Sequence, residues 1–293
     1  MGSKLLFYLV ILPISKLPFG VLYLISDFLY LVLYKVIGYR TKVVRANLEN
    51  SFADKSGAEI KELEAKFYSH LCDLVVESLK AFSISLEDAK RRMKDRNIEI
   101  VNQYHKQGRQ VVLVGGHYGN WELFAITIGA TTEHETIALY TPLKNEFINE
   151  KITESRSKYG LGMLSIKEIK SKLTDINSGL YAIIFGADQS PRKTQRVYWM
   201  KFLNQETGVQ FGTEKFAKEF NAVVIFTNIY KVKRGYYELQ YDVITEQPNE
   251  EELGYISKTH TQMLEKVIQA QPEYWLWSHK RWKHRRPEGE TLN

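Results

Sequence analysis

The segment Val111-Val-Leu-Val-Gly-Gly-His-Tyr-Gly-Asn-Trp-Glu122 constrains the fold more than any other stretch of this chain. An apolar run of strand length meets two glycines, then His117, then Asn120, a residue type that caps helix N-termini through its side-chain oxygen. Strand, tight turn and helix in that order is the start of a βαβ unit, and the same grammar repeats downstream. Gln110–Val114, Thr136–Tyr140, Leu180–Phe185, Val223–Tyr230 and Tyr236–Ile244 read as strands. Trp121–Ala130, Asn145–Lys158, Thr213–Phe220 and Leu253–Gln269 read as helices, and Arg234-Gly235 as a turn pairing the last two strands. The alternation predicts an α/β fold with a central, largely parallel or mixed sheet flanked by helices. Residues 40–95 read as amphipathic helix, with Ile60, Leu63, Phe67, Leu71 and Leu74 at helical spacing.

Ahead of that unit, the 18 residues between Lys16 and Lys35 carry one charge, Asp27. As a helix they span about 27 Å, just short of a hydrocarbon core. A second apolar run, Leu5–Leu12, is set apart by Pro13 and Pro18. A cleaved signal is disfavoured, because no small-residue cleavage site follows. A buried core helix and a membrane anchor remain, and the anchor is preferred. Tyr23, Tyr30 and Tyr34 suit a membrane interface, while Asp27 at mid-span favours a shallow pose. The expected division is an anchor over residues 1–38 and a catalytic domain over 39–293.

Composition limits the classes. Apolar residues make up 44% and charged residues 25%, which excludes a disordered chain. The single cysteine, Cys72, excludes an intrachain disulfide, and no His/Cys ligand spacing points to zinc. Net charge is +6, which points to an anionic partner without choosing between nucleic acid and lipid. The C-terminal run Ser278–Arg286 holds Lys280, Arg281, Lys283, Arg285 and Arg286 close to Trp275, Trp277 and Trp282. Beside an anchor, that mixture favours an anionic membrane or a phosphorylated glycolipid over nucleic acid.

His117 stands where open α/β sheets bind ligands, beyond the carboxyl end of a strand. Glu122, five residues on, would diverge from it by about 140° on one continuous helix. The two meet only if His117 lies on the turn and Glu122 in the first helical turn. A carboxylate on one imidazole nitrogen fixes the tautomer and makes the other a competent general base. Gly-x-Ser-x-Gly, Walker and Gly-x-Gly-x-x-Gly patterns are absent from the sequence.

With these residues in view, the chain resembles the lipid A biosynthesis acyltransferases, the lauroyl and myristoyl transferases of Gram-negative bacteria, within the wider glycerolipid acyltransferase superfamily. The His-x4-Glu match is common to the superfamily. Lys42–Phe52, Tyr140–Asn145 with Arg156 and Gly160, Ala187-Asp188-Gln189, and Pro272–Trp282 resemble blocks of the lipid A branch. One stretch departs: Met200–Gly208 stands where the family usually carries a Phe-Phe-Gly-like run.

The resemblance implies an acyltransferase on the cytoplasmic side of the inner membrane. Such an enzyme moves a fatty acyl chain from an acyl-carrier-protein or coenzyme A thioester to a hydroxyl of a lipid A precursor. The thioester is a co-substrate, and no cofactor or metal is implied. His117 would be the base and Glu122 its partner, with backbone N–H groups near Asn120 as oxyanion donors. Arg156, Asp188, Gln189, Asn120 and Arg281 would bind or position substrate. An aminolipid, lysophospholipid or other glycolipid acceptor is the alternative. A non-catalytic membrane- or nucleic-acid-binding protein with basic ends is the reading of another class.

Overall fold

A computed structural model describes residues 2–166, 168, 179–192 and 196–293. Seven strands form one sheet: β1 (Met93–Asp95), β2 (Val111–Gly115), β3 (Glu135–Tyr140), β4 (Leu161–Ser165), β5 (Tyr181–Gly186), β8 (Val223–Lys233) and β9 (Tyr236–Thr245). Their spatial order is β1-β9-β8-β2-β5-β3-β4. Every pairing is parallel except β8–β9, the hairpin closed by Arg234-Gly235. The expected mixed, mostly parallel sheet is therefore present.

Both faces are covered, as parallel strands require. Alternate residues of β2 face opposite sides. Val111 and Leu113 pack with Leu123, Phe124 and Ile126 of α7 (Trp121–Thr127). Val112 and Val114 pack with Phe216 and Ala217 of α9 (Gly212–Phe220).

The helical region 40–95 divides where side chains cap backbone. α3 (Thr41–Ser51) ends before Ser56, whose hydroxyl accepts from Glu59 N while Glu59 accepts from Ser56 N, opening α4 (Gly57–Lys80). Ser85 likewise caps α5 (Leu86–Arg92) through Asp88 N. α6 (Glu99–Lys106) leads into β2, and α8 (Glu146–Ser157) into β4. Met200–Gly208 falls in a separate hairpin of β6 (Val197–Phe202) and β7 (Gln205–Gln210). Its turn places Leu203 and Asn204 at positive φ, as a two-residue hairpin loop demands. α10 (Tyr255–Ala270) then leads to the C-terminal segment.

Two apolar helices precede this body, α1 (Gly2–Ser15) and α2 (Phe19–Val36). α2 is neither a core helix nor free of the domain. Tyr23, Ser26 and Asp27 form a polar stripe that hydrogen-bonds Glu77, Asp73 and Arg234. The mid-span charge at Asp27 is thus neutralised by the domain. On the other side Val21, Leu24, Phe28 and Leu31 are exposed, as are Leu5, Leu6 and Leu9 of α1.

Candidate active site

The sheet register builds the site. β2 and β5 pair in parallel with Gly115 opposite Gly186, and Ala187 N continues the ladder to Gly115 O. Two residues beyond each glycine stand His117 and Asp188, which the register brings side by side. Imidazole Nδ1 lies 2.7 Å from Asp188 Oδ1, and His117 N donates to Asp188 Oδ2 at 2.9 Å. Trp275 Nε1 donates to the same Oδ2 at 2.8 Å. The carboxylate of Asp188 is 3% exposed. Burial alone would favour its neutral form, but the adjacent imidazole and these donors hold its pKa down to about 2. Burial likewise opposes an imidazolium at His117, yet Asp188, and more weakly Glu122, outweigh it and raise that pKa above its usual value.

With Asp188 an acceptor, Nδ1 carries the proton of the neutral ring and Nε2 keeps its lone pair. Gln189 Nε2 lies 3.3 Å from that nitrogen. Gly186 makes room for the ring: a Cβ there would stand 3.1 Å from His117 Cε1.

The expected His117–Glu122 hydrogen bond is not made. Glu122, in the first turn of α7, instead takes both Arg156 nitrogens, Nε at 2.8 Å and one terminal nitrogen at 2.5 Å, and accepts from Trp121 Nε1. The reason is directional. Asp188 approaches the imidazole along the sheet, whereas α7 carries Glu122 toward the end of α8. Trp121 lies between, edge-on to the imidazole at 5.2 Å. Asp188, expected to bind or position substrate, is the group that positions the base. The only local signal is that each strand ends Gly-x-polar, as Gly115-Gly-His117 and Gly186-Ala-Asp188, which marks the two strand ends but not their pairing.

His117, Arg156 and Gln189 line a cavity of about 460 Å³ between the sheet and α7. Its depth is apolar, with Leu113, Phe124, Leu161, Met163, Ile184 and Ile229. A smaller apolar groove of about 210 Å³ lies beyond the Glu122–Arg156 pair, walled by Phe7 and Ile11 of α1 and by Ile148 and Ile152 of α8. Arg156 lines both, so the groove beside α1 adjoins the cavity.

Two expected substrate ligands lie elsewhere. Asn120 is 1% exposed, and its amide is used up: Oδ1 caps α7 by accepting from Leu123 N, and Nδ2 donates to Glu77. That leaves Leu123 N unavailable to an oxyanion. Arg281 is buried, with both terminal nitrogens on Gly208 O, so its guanidinium ties the C-terminal segment to β7. Burial lowers its pKa to about 10. Trp275 and Trp277 are buried too, and Leu276 N donates to His117 O. The tryptophans of this segment therefore support the base from inside, while Lys280, Lys283 and Arg285 of the basic run stay exposed. Among the described residues no cluster of His, Cys, Asp and Glu could hold a metal.

The profile of the bacterial lipid A biosynthesis acyltransferases matches residues 3–284. The chain is 24% identical to the lipid A biosynthesis lauroyltransferase of Escherichia coli K12, over 94% of this chain and 89% of that protein. It is 22% identical to the palmitoleoyltransferase of the same pathway from that strain, with the same coverage. A lipid A biosynthesis acyltransferase of Shigella flexneri matches equally, at 22%. With that profile running through the strand-end histidine, the paired carboxylates and the C-terminal buttress, this chain belongs to the bacterial lipid A biosynthesis acyltransferase family.

Proposed function

We propose that the chain transfers a fatty acyl group from an acyl-carrier-protein thioester to a hydroxyl of a lipid A precursor, on the cytoplasmic side of the inner membrane. One observation carries the chemistry: an imidazole held by a buried carboxylate lines a cavity that has an apolar wall and a polar one. His117 Nε2 takes the acceptor hydroxyl proton as the oxygen attacks the thioester carbonyl. The tetrahedral intermediate collapses, the C–S bond breaks, and the leaving thiolate recovers the proton from Nε2. Asp188 stabilises the imidazolium between these steps, the part a buried aspartate plays in a Ser-His-Asp triad. Gln189 holds the place the acceptor hydroxyl takes. Arg156, fixed by Glu122 on the cavity wall, supplies the positive charge for the oxyanion or an acceptor phosphate. The chemistry calls for no cofactor or metal.

Surface chemistry supports membrane association. α1 and α2 present large aliphatic and aromatic side chains to the surroundings while a polar stripe binds α2 to the domain. This arrangement suits a helix pair lying in the membrane interface beside the cavity, where a lipid acceptor arrives with its chains still in the bilayer. The decisive experiment is acyl transfer by the purified protein from acyl-carrier-protein and coenzyme A thioesters to lipid A precursors and to lysophospholipids. A new lipid A acyl ester, formed with wild type and not with His117→Ala, is the expected product. Acylation of a lysophospholipid alone would move the acceptor to another lipid class, and equal rates with His117→Ala would end the mechanism.

A further inference from the structure

Three residues on one face of α4, His70, Asp73 and Glu77, join the docked helix α2 to the turn that carries His117. Glu77 is buried and accepts three hydrogen bonds: Tyr23 Oη at 2.9 Å, Tyr237 Oη at 2.8 Å and Asn120 Nδ2 at 2.6 Å. Asn120 has no freedom to turn away, because its Oδ1 caps α7 at Leu123 N. His70 accepts at Nδ1 from Lys231, so its Nε2 carries the proton and donates to Gly119 O. Burial and Lys231 keep that ring neutral. Asp73, one turn before Glu77, binds Ser26 of α2 and both Lys231 and Arg234, and Arg234 reaches on to Asp27.

A carboxylate out of water is costly unless every lone pair is used. Packing the same helices with apolar residues would avoid that cost. What the polar arrangement adds is geometric. One carboxylate fixes, through directional bonds, a residue of the apolar helix and the cap of the helix that bears Glu122. Residues 119 and 120, both held from α4, are the two that follow the His117-Tyr118 pair.

We infer that Glu77 is a positioning residue: acting through Asn120, it transmits the seating of the apolar helix Phe19–Val36 to the His117–Glu122 turn. The inference rests on the reading of His117 as the base, and it makes α2 part of the active-site frame as well as a contact with the membrane. A lipid-exposed helix that is correctly seated holds the turn in its working geometry.

Hydrogen–deuterium exchange tests the coupling without substrate. Glu77→Gln and Asn120→Ser are compared with wild type, Asn120→Ser keeping a capping oxygen while losing the donor to Glu77. Faster exchange over residues 118–124 is expected in both, and in Tyr23→Phe, which cuts only the bond from α2 to Glu77. In acyl transfer, kcat is expected to fall about tenfold in Glu77→Gln, the loss that one tightened transition-state contact represents, with KM for the thioester within about twofold. The double variant should be no worse than either single, because both act through one bond. Unchanged exchange at 118–124 in all three variants, or multiplying losses of kcat in the double, would overturn the proposal. Should Glu77→Gln fail to fold, Tyr23→Phe and Asn120→Ser decide it by the same readout. Altered exchange in a protein that transfers no acyl group would uphold the coupling and remove only the functional reading.

Discussion

Two carboxylates act on one histidine, one by direct contact and one through space, and the structure uses them differently. Asp188 is nearly sealed, collects three donors and bonds the imidazole directly. Glu122 has a side chain 17% exposed and spends itself on Arg156. The strand register delivers the first, and the first turn of a helix delivers the second. A carboxylate fixed by a sheet ladder sets the tautomer of its neighbour. One carried on a helix end is better placed to hold a guanidinium at the cavity wall. Chain proximity and chemical partnership are separate matters: the partner of His117 is 71 residues away, not five.

The comparison is broken most directly at Asp188. In Asp188→Asn the amide oxygen is claimed by His117 N and Trp275 Nε1, which both donate on the Oδ2 side. The NH₂ then faces Nδ1 and forces the ring proton onto Nε2, where the base must be free. Acyl transfer should fall about 10³- to 10⁴-fold, as when a triad aspartate is amidated. The sign of the pH effect follows. The raised pKa of His117 places the acid limb of kcat/KM above pH 6.5, with activity gained as pH rises and the imidazolium is lost. Without the Asp188 charge, burial dominates and the residual activity's limb moves to lower pH. An unmoved limb would assign the base elsewhere. Glu122→Gln should cost about 10²-fold by loosening Arg156, with a smaller displacement of the limb, since Glu122 acts on His117 only through space. Equal displacements in the two variants would mean that both carboxylates act on the base alike.

Most of this frame is legible in the sequence, and the unread part has a physical cause. Apolar runs of strand length, the Arg234-Gly235 turn and the Asn120 cap locate the main sheet strands β2, β3, β5, β8 and β9 and the helix after His117. β4, written Leu161-Gly-Met-Leu-Ser165, is short and broken by a glycine, and the Val197–Gln210 hairpin turns at Leu203-Asn204 with no glycine to mark it, so tertiary pairing decides them. His117 and Glu122 are visible because they share one local motif. Their true pairings are not, because register between β2 and β5 is a long-range property that spacing along the chain does not encode. The two ends of the molecule make the same point. Both are rich in aromatics beside positive charge, yet one leaves Leu24 and Phe28 exposed while the other buries Trp275 and Trp277. Composition is blind to that difference.

Smaller changes sharpen the picture. Gly186→Ala places a methyl 3.1 Å from His117 Cε1 and should tilt the ring on Asp188, lowering kcat about tenfold at little cost to folding. Wild-type kcat would show that the ring has slack. The exposed face of α2 is tested by Leu24→Asp with Phe28→Asp, which leaves the polar stripe on Asp73 and Glu77 untouched. Release from vesicles, with the thermal midpoint within a few degrees of wild type, is expected. Undiminished binding would place the membrane contact elsewhere.

The gentlest change asks what Trp275 does for Asp188. Trp275→Phe keeps most of the ring packing against Phe202 and Trp277 but removes the indole N–H from Oδ2. The oxygen still accepts from His117 N, so the carboxylate is not orphaned, and the loss is one buried hydrogen bond to a charge, about 2 kcal/mol of stability. Weaker support for the anion raises the pKa of Asp188 from about 2, yet leaves it ionised at neutral pH, so the proton stays on Nδ1 and Nε2 stays free. Acyl transfer should therefore fall no more than about threefold while the thermal midpoint drops by a few degrees. A loss of activity approaching that of Asp188→Asn, with stability unchanged, would mean that the tryptophan orients the carboxylate as well as supporting it, and would extend the base-fixing unit from the sheet ladder into the C-terminal segment.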